Sequence, residues 1–284
     1  MTKPEKHPKL DLINPEESFK DLSHKIDQLR NSLISFGVYN TNKITGDMFD
    51  DKYCLLRDSI LYRANSLLFH FNLLLNIQKM HIDNLKKTKF NSSDRSLLIL
   101  DSRDQQIFLF DSIIFHSISL FDYWGNLVDY VCSSKKQMNL KWNGVIRSIR
   151  DKANTMFQSP VSEIILSLNN EFVGLLNEHR SDLIHNKTDL GAAQSSFNLM
   201  SAESNFIVFA PKKFVKRFSH LKHLSKSNEL TLNYVSFWLI EQTFDSLDKI
   251  LKKLFEHIEI NRKIEKGNEV FFFKSPDGKF KPIG

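Results

Sequence analysis

Glycine, proline and cysteine are scarce in this sequence. Its 284 residues include 9 glycines, 7 prolines and 2 cysteines. Because few glycines and prolines interrupt the chain, long segments keep the helical spacing of apolar residues, which predicts a mainly α protein. The two cysteines, Cys54 and Cys132, provide neither a disulfide framework nor the paired spacing of a zinc site. A reducing, cytoplasmic location is therefore expected.

Several signatures of catalysis and targeting are also missing from the sequence. It has no glycine-rich phosphate loop, no HExxH motif and no serine in a nucleophile elbow. The N-terminal residues MTKPEKHPKL carry charges where a secretory signal has an apolar run. Apolar runs such as Phe71 to Leu75 are far shorter than a membrane span. These absences predict no export, no membrane partner, no cofactor and no metal.

The composition is that of a folded chain with a basic balance. Hydrophobic residues make up 41% of the sequence and aromatic residues 12%, which is enough for one large domain or a domain with an insertion. Lys and Arg number 39 against 33 Asp and Glu, so the formal charge is +6. This balance suits a polyanionic partner such as nucleic acid without requiring one.

Five amphipathic helices are predicted from the spacing of apolar residues. The first begins near Phe19 and is expected to end at Gly37, since glycine commonly follows the last turn of a helix. The other four are predicted at about residues 52–85, 104–132, 160–186 and 228–262. In the last helix the apolar residues alternate by three and four positions, which is typical of the seam of a helical bundle.

Two segments break the helical pattern. Ser195 to Pro211 has two short apolar runs around a polar turn, which predicts a β-hairpin inserted between the fourth and fifth helices. The tail EVFFFKSPDGKFKPIG has a strand-like run and a turn signal, and a small sheet joining it to the hairpin is one alternative. The predicted organisation is an N-terminal tail and amphipathic helix packing on the core (1–50), a helical bundle with the hairpin (51–265) and a strand-like tail (266–284).

An arginine followed by a histidine after four to six intervening residues occurs three times, where chance predicts about one match. The pairs are Arg63 with His70, Arg180 with His185, and Arg217 with His223. Only Arg180 and His185 lie toward the end of a long predicted helix, just before the breaker-rich stretch NKTDLG.

The stretch EHRSDLIHN around this pair resembles the motif of the HEPN superfamily. Its members place an arginine and a histidine toward the end of the third helix of a four-helix bundle. The stretch FHSISLFDYWGNLVDY is similar to an aromatic, charge-poor helix of many HEPN-like proteins. The resemblance implies a HEPN-like four-helix bundle over most of residues 50–262, with an extra N-terminal helix. The motif itself covers six residues.

The resemblance also implies a function. HEPN ribonucleases cleave RNA without a metal, pairing their motifs across a homodimer and leaving a 2′,3′-cyclic phosphate and a 5′-hydroxyl. On that basis Arg180 and His185 are the predicted catalytic residues, with Ser181 and Asp182 as supporting candidates. Ser181 departs from the Asn, Asp or His that often follows the arginine, and Lys187 stands where one HEPN variant has tyrosine.

Helix geometry separates the two predicted catalytic side chains. In an ideal helix Arg180 and His185 lie about 140° apart around the axis and about 7.5 Å apart along it. One straight helix therefore does not aim both at one phosphate, and a shared site needs a distorted helix end or a second copy of the motif. The neighbouring His179 falls on the apolar stripe and is interpreted as a buried, hydrogen-bonded core histidine.

The segment PKKFVKRFSHLKHLSK, residues 211–226, is the predicted RNA-contacting surface because basic side chains neutralise phosphates and aromatic rings stack on unpaired bases. The RNA-binding candidates are Lys212, Lys213, Lys216, Arg217 and Lys222. The alternative is a basic amphipathic helix whose phenylalanines face the core and whose lysines are solvated.

Three functional interpretations stay open. The chain is a HEPN-type endoribonuclease acting as a toxin or a phage-defence effector, a catalytically inactive HEPN-like module that binds RNA or protein, or a helical scaffold. The expected partners are RNA, a second copy of the chain, and an antitoxin or other regulatory protein.

Overall fold

A computed structural model describes most of the chain. The described residues are 14–44, 51–88, 93–132, 140–185, 191–198, 203–225, 230–261, 271–274 and 280–283.

The prediction of a mainly α protein is confirmed. The helices are α1 Pro15–Ile44, α2 Asp51–Lys87, α3 Ser93–Cys132, α4 Trp142–Arg150, α5 Val161–Leu168, α6 Gly174–His185, α7 Lys212–Arg217, α8 Leu221–Ser225 and α9 Leu232–Asn261. A short 3-10 turn, Thr155–Gln158, precedes α5, and one π-helical segment, Asn169–Val173, joins α5 to α6.

The first helix does not end at Gly37, as the sequence pattern predicts. It continues to Ile44, so this glycine lies inside the helix. A Cβ atom at position 37 would collide with the ring of Tyr53. The Tyr53 hydroxyl donates a 2.5 Å hydrogen bond to the Leu33 carbonyl, which fixes the ring in place. Gly37 is therefore explained by the close approach of an aromatic side chain, not by helix termination.

Helix α4 is absent from the sequence-based prediction. Its buried side chains are Trp142, Val145, Ile146 and Ile149, which form one apolar face at helical spacing. The Trp142 indole stacks edge-on against Phe121 at 5.2 Å and donates a 3.0 Å hydrogen bond to the Asn169 side chain. The tryptophan thereby connects α4 to α3 and to the π-helical segment.

Two antiparallel hairpins also occur among the described residues. Strands β1 Ala193–Asn198 and β2 Glu203–Val208 pair from Ala193 with Val208 to Asn198 with Glu203, which confirms the inserted hairpin. The C-terminal tail contributes β3 Phe271–Lys274 and β4 Phe280–Ile283, which pair with each other. The alternative in which hairpin and tail share one sheet is wrong for the described strands.

The chain divides into two compact units. The first comprises Met1–Lys20, Leu67–Phe115 and Leu175–Glu241, and the second Asp21–Ser66, His116–Gly174 and Gln242–Gly284. In the first unit, buried phenylalanines from α2, α3, β2 and α7 form the centre of the core. In the second, the core combines Phe36 of α1 and Phe121 and Trp124 of α3 with apolar side chains of α4, α5 and α9. The predicted division at residues 50 and 265 stays a prediction.

Among the described residues, one helix is long and apolar enough to cross a membrane by length and composition. Within α3, half of the apolar window is buried inside the protein. Core helices of soluble proteins meet the same criterion, so this is weak evidence for a membrane span. The cytoplasmic location stays a prediction.

Candidate functional site

Arg180 and His185 lie on α6 in the first unit. The helix is regular from Gly174 to His185, and His185 is its last residue. The distorted helix end that would bring both side chains together is therefore not seen in α6. The pair keeps the divergence of an ideal helix, about 140° around the axis.

The two side chains also have different surroundings. Arg180 is half-buried, and its guanidinium carbon lies 5.8 Å from the centre of the Phe115 ring, a cation–π contact. Its Nε atom is buried with no hydrogen-bond partner among the described residues. His185 is exposed, as is Ser181. The arginine is thus held against α3, whereas the imidazole faces solvent.

A cluster of three polar side chains lies beside this pair. Arg217 of α7 donates a 2.6 Å charged hydrogen bond to Asp182 and a 3.1 Å hydrogen bond to Nδ1 of His179. Because a guanidinium has only donors, Nδ1 of His179 must act as an acceptor. The His179 ring also packs edge-on against Phe214 at 5.1 Å. We call this group the Arg217 cluster.

The Arg217 cluster bears on three residues from the sequence analysis. His179 is buried and hydrogen-bonded, which confirms the interpretation of it as a core histidine. Asp182 pairs with Arg217 in the structure, and its supporting role beside His185 stays a prediction. Arg217 is half-buried in a structural ion pair, which accounts for its position without RNA.

Replacement of Arg217 by alanine is expected to lower the free energy of unfolding by about 1–3 kcal/mol, because the half-buried Asp182 carboxylate and the buried His179 ring each lose a hydrogen bond. The exposed Lys216 of the same helix is the matched control, and its alanine variant should change stability by less than about 0.5 kcal/mol. Urea denaturation measures both. Equal effects of the two variants would show that the cluster contributes nothing to stability.

The basic segment is amphipathic, as the alternative interpretation holds. Phe214, Phe218 and Leu221 are fully buried, so the two phenylalanine rings are not available to stack on bases. The exposed side chains include Lys212, Lys213, Lys216 and Lys222. The candidate RNA-contacting surface therefore presents lysine side chains but no phenylalanine rings. Lys226 lies outside the described residues.

A second arginine–histidine contact occurs in the other unit. Arg63 of α2 donates a 3.2 Å hydrogen bond to Nδ1 of His116 on α3 and lies 5.6 Å from the Tyr62 ring. The sequence pattern pairs Arg63 with His70, whereas the hydrogen bond of Arg63 goes to His116. Contacts between residues 53 positions apart depend on helix packing and leave no local signal in the sequence.

Asp111 of α3 is a half-buried carboxyl group in the first unit. Burial raises its pKa to about 6 from an ordinary value near 3.8. The folded chain therefore binds more protons than the unfolded chain between about pH 4 and 6, and its stability falls as pH rises through that window.

An Asp111→Asn variant should remove this pH dependence. Relative to the wild type, the variant is expected to gain about 1–2 kcal/mol of stability between pH 4 and pH 8, after allowance for solvent screening. Thermal unfolding of both proteins at pH 4, 6 and 8 measures the change. A difference between the two proteins that stays constant with pH would contradict it.

Burial limits the reactivity of one of the two cysteines, Cys132. Burial raises the pKa of the Cys132 thiol to about 12, so the reactive thiolate is rare at neutral pH. Across the described residues, no group of three or more His, Cys, Asp and Glu side chains is placed to hold a metal ion.

Comparison of the chain with protein-family models, with curated proteins and with solved structures finds no match in any of the three.

Proposed function

We propose that this chain is a HEPN-type, metal-independent endoribonuclease. One observation carries the proposal: an exposed histidine ends α6, and an arginine with a partly unsatisfied guanidinium precedes it by five residues. The mainly helical architecture is compatible with the four-helix bundle that this resemblance implies. A toxin or phage-defence role, controlled by an antitoxin or another regulatory protein, is part of the same proposal.

The chemistry follows from the residue types. The His185 imidazole accepts the proton of a ribose 2′-hydroxyl, whose oxygen attacks the adjacent phosphorus. The bond from phosphorus to the 5′-oxygen breaks and this oxygen takes a proton from solvent, which leaves a 2′,3′-cyclic phosphate and a 5′-hydroxyl. Arg180 stabilises the negative charge on the phosphate through its forked N–H donors.

A second copy of the chain completes the proposed site. Because α6 is straight and its two side chains diverge, one copy does not direct both groups at one phosphate. A two-fold axis close to α6 would place His185 of one copy near Arg180 of the other. The exposed lysines of α7 and α8 supply positive charge for the RNA backbone in the same unit.

Cleavage in EDTA tests this proposal. The purified chain is incubated with a mixed RNA and with DNA of matching sequence, and the products are separated on a denaturing gel. We expect cleavage of RNA alone, because DNA lacks the attacking 2′-hydroxyl. Products that end in 5′-phosphate, or cleavage of DNA, would exclude this mechanism.

A catalytically inactive HEPN-like module that binds RNA or protein is the second candidate. Two contacts favour it: Arg180 packs over the Phe115 ring, and Asp182 forms an ion pair with Arg217. Both contacts engage side chains that the nuclease mechanism would use. This candidate predicts salt-sensitive RNA binding without cleavage. A monomer that neither binds nor cleaves RNA would instead favour a helical scaffold.

A further inference from the structure

The outer side of α3 in the first unit carries large apolar side chains that are open to solvent. Phe108 is 59% exposed, and the half-buried Asp111 and Phe115 follow it at three and seven positions, so the three side chains share one side of the helix. Phe110 of the same helix points the other way and is fully buried in the core. Exposed apolar side chains grouped beside polar ones are typical of an interaction surface.

Helix α6 extends this surface. Arg180 packs over the Phe115 ring, so the side of α6 that carries Arg180 adjoins the outer side of α3. Ile184 follows Arg180 by one helical turn on the same side of α6 and is 53% exposed. The arginine therefore lies between two apolar side chains, one on each helix.

Helix α2 adds Phe69, which is 62% exposed. Helices α2 and α3 follow one another across a short connection, and His81 Nε2 lies 3.3 Å from Gln105 Oε1, so the two helices are antiparallel. Phe69 precedes His81 by about three turns and therefore lies level with the part of α3 around Phe115. Because both helices bury their inner sides in one core, the exposed rings project from the same outer side.

We call this surface the α3 face. Its members are Phe69, Phe108, Asp111, Phe115, Arg180 and Ile184, and all of them belong to the first unit.

Two opposite charges on the α3 face have no charged partner in the described part of the chain. Asp111 is half-buried, and burial alone raises its pKa, with no cation beside the carboxyl group to offset that cost. Arg180 has its cation–π contact with Phe115 but no carboxylate beside it among the described residues. Its Nε atom is buried out of a partner's reach, so the terminal guanidinium nitrogens are the groups that remain for an acceptor.

We propose that the α3 face is an interface between two copies of this chain, in which Asp111 of each copy pairs with Arg180 of the other. A two-fold interface joins the same surface of both copies, so that surface must be complementary to itself. The α3 face meets this requirement because it carries one carboxylate and one guanidinium among apolar side chains. Two equivalent ion pairs form, and Phe69, Phe108 and Ile184 become buried around them.

The balance of charge favours a second copy over a strongly charged partner. A basic surface would oppose Arg180 and an acidic surface would oppose Asp111, whereas a second copy satisfies both groups. The interface does not rest on the proposed nuclease activity. A carboxylate takes at most two of the N–H donors of a guanidinium, so the pairing leaves terminal donors on Arg180 for a phosphate.

Charge reversal of the full chain, without RNA, tests the pairing. Sedimentation velocity of the wild type at about 1–100 μM is expected to show a reversible dimer. Asp111→Arg and Arg180→Asp should each raise the dissociation constant of the dimer at least tenfold, because like charges then meet across the two-fold axis. An equal mixture of the two variants should dimerise again, since both contacts of the mixed dimer join opposite charges. A mixture that stays monomeric, with both variants folded by circular dichroism, would overturn the pairing.

An exposed apolar position tests the interface without changing a charge. Phe108→Ser is expected to weaken the dimer about tenfold or more, because an aromatic ring at the centre of the contact is lost. Leu224→Ser is the matched control, since Leu224 is 61% exposed on α8 and lies outside the α3 face. A monomeric wild type at about 100 μM, or a Phe108→Ser dimer as tight as the wild type, would overturn the proposal. A dimer that responds to these variants but cleaves no RNA would support the interface and count only against the nuclease.

Discussion

A His185→Ala variant is expected to cleave RNA about 10²–10⁴-fold more slowly than the wild type, the usual contribution of a general base. The side chain is exposed at the last residue of α6, so alanine removes no core contact and the melting temperature should stay unchanged. Initial rates on a fluorescent RNA in EDTA measure the effect. Circular dichroism of the same samples separates lost chemistry from lost folding.

A control and a mixing experiment make this test specific. His24→Ala removes another exposed histidine, one outside the proposed site, and should leave the rate unchanged. If the site spans two copies, mixing His185→Ala with Arg180→Ala should restore activity, because some heterodimers regain one intact site. Full activity in His185→Ala would remove this histidine from the mechanism. Inactivity of the mixture, with heterodimers present, would place both residues in one copy.

A Trp142→Ala variant is expected to lose about 3–5 kcal/mol of stability, the largest effect among the substitutions considered. The indole is almost fully buried in the second unit, and its removal leaves a cavity beside Phe121 and an unpaired oxygen on Asn169. The backbone N–H of residue 142 also donates to the Asp122 carboxylate at 3.2 Å, and this bond is kept in the variant. Chemical denaturation measures the loss.

A Trp142→Phe variant divides this loss into its two parts. Phenylalanine keeps most of the apolar volume but not the indole N–H, so the expected loss is about 1–2 kcal/mol. The exposed Asn143 of the same helix gives the control, since Asn143→Ala removes no buried contact. A loss below about 1 kcal/mol in Trp142→Ala would show that α4 adds little to the core.

Helix periodicity predicts most ends of the long helices closely, but it starts the third helix at about residue 104, whereas α3 begins at Ser93. The apolar stripes place α2 and α9 within a few residues, because many buried side chains repeat the same spacing. Gly37 leads to a wrong helix end because glycine is common after the last turn of a helix and also where another side chain packs closely against the backbone. The π-helical segment lies between two α-helices whose buried residues keep a helical spacing. The sequence pattern therefore does not show where the π-helical turn occurs.

The candidate site shows the same division between local and tertiary information. Sequence alone places His185 at a helix end, since the breaker-rich residues follow it directly. It does not reveal that Arg217 binds Asp182, 35 positions away, because that ion pair depends on how α7 packs against α6.

Because α7 is amphipathic, substitutions that change its surface charge can occur without substitutions that change its packing. Its phenylalanine side chain is fully buried in the core, whereas Lys212, Lys213 and Lys216 project into solvent. Substitution of these lysines alters the electrostatic field of the surface and costs the fold little. Selection for a new partner can therefore change this face from basic to neutral or acidic, while the helix beneath it stays folded.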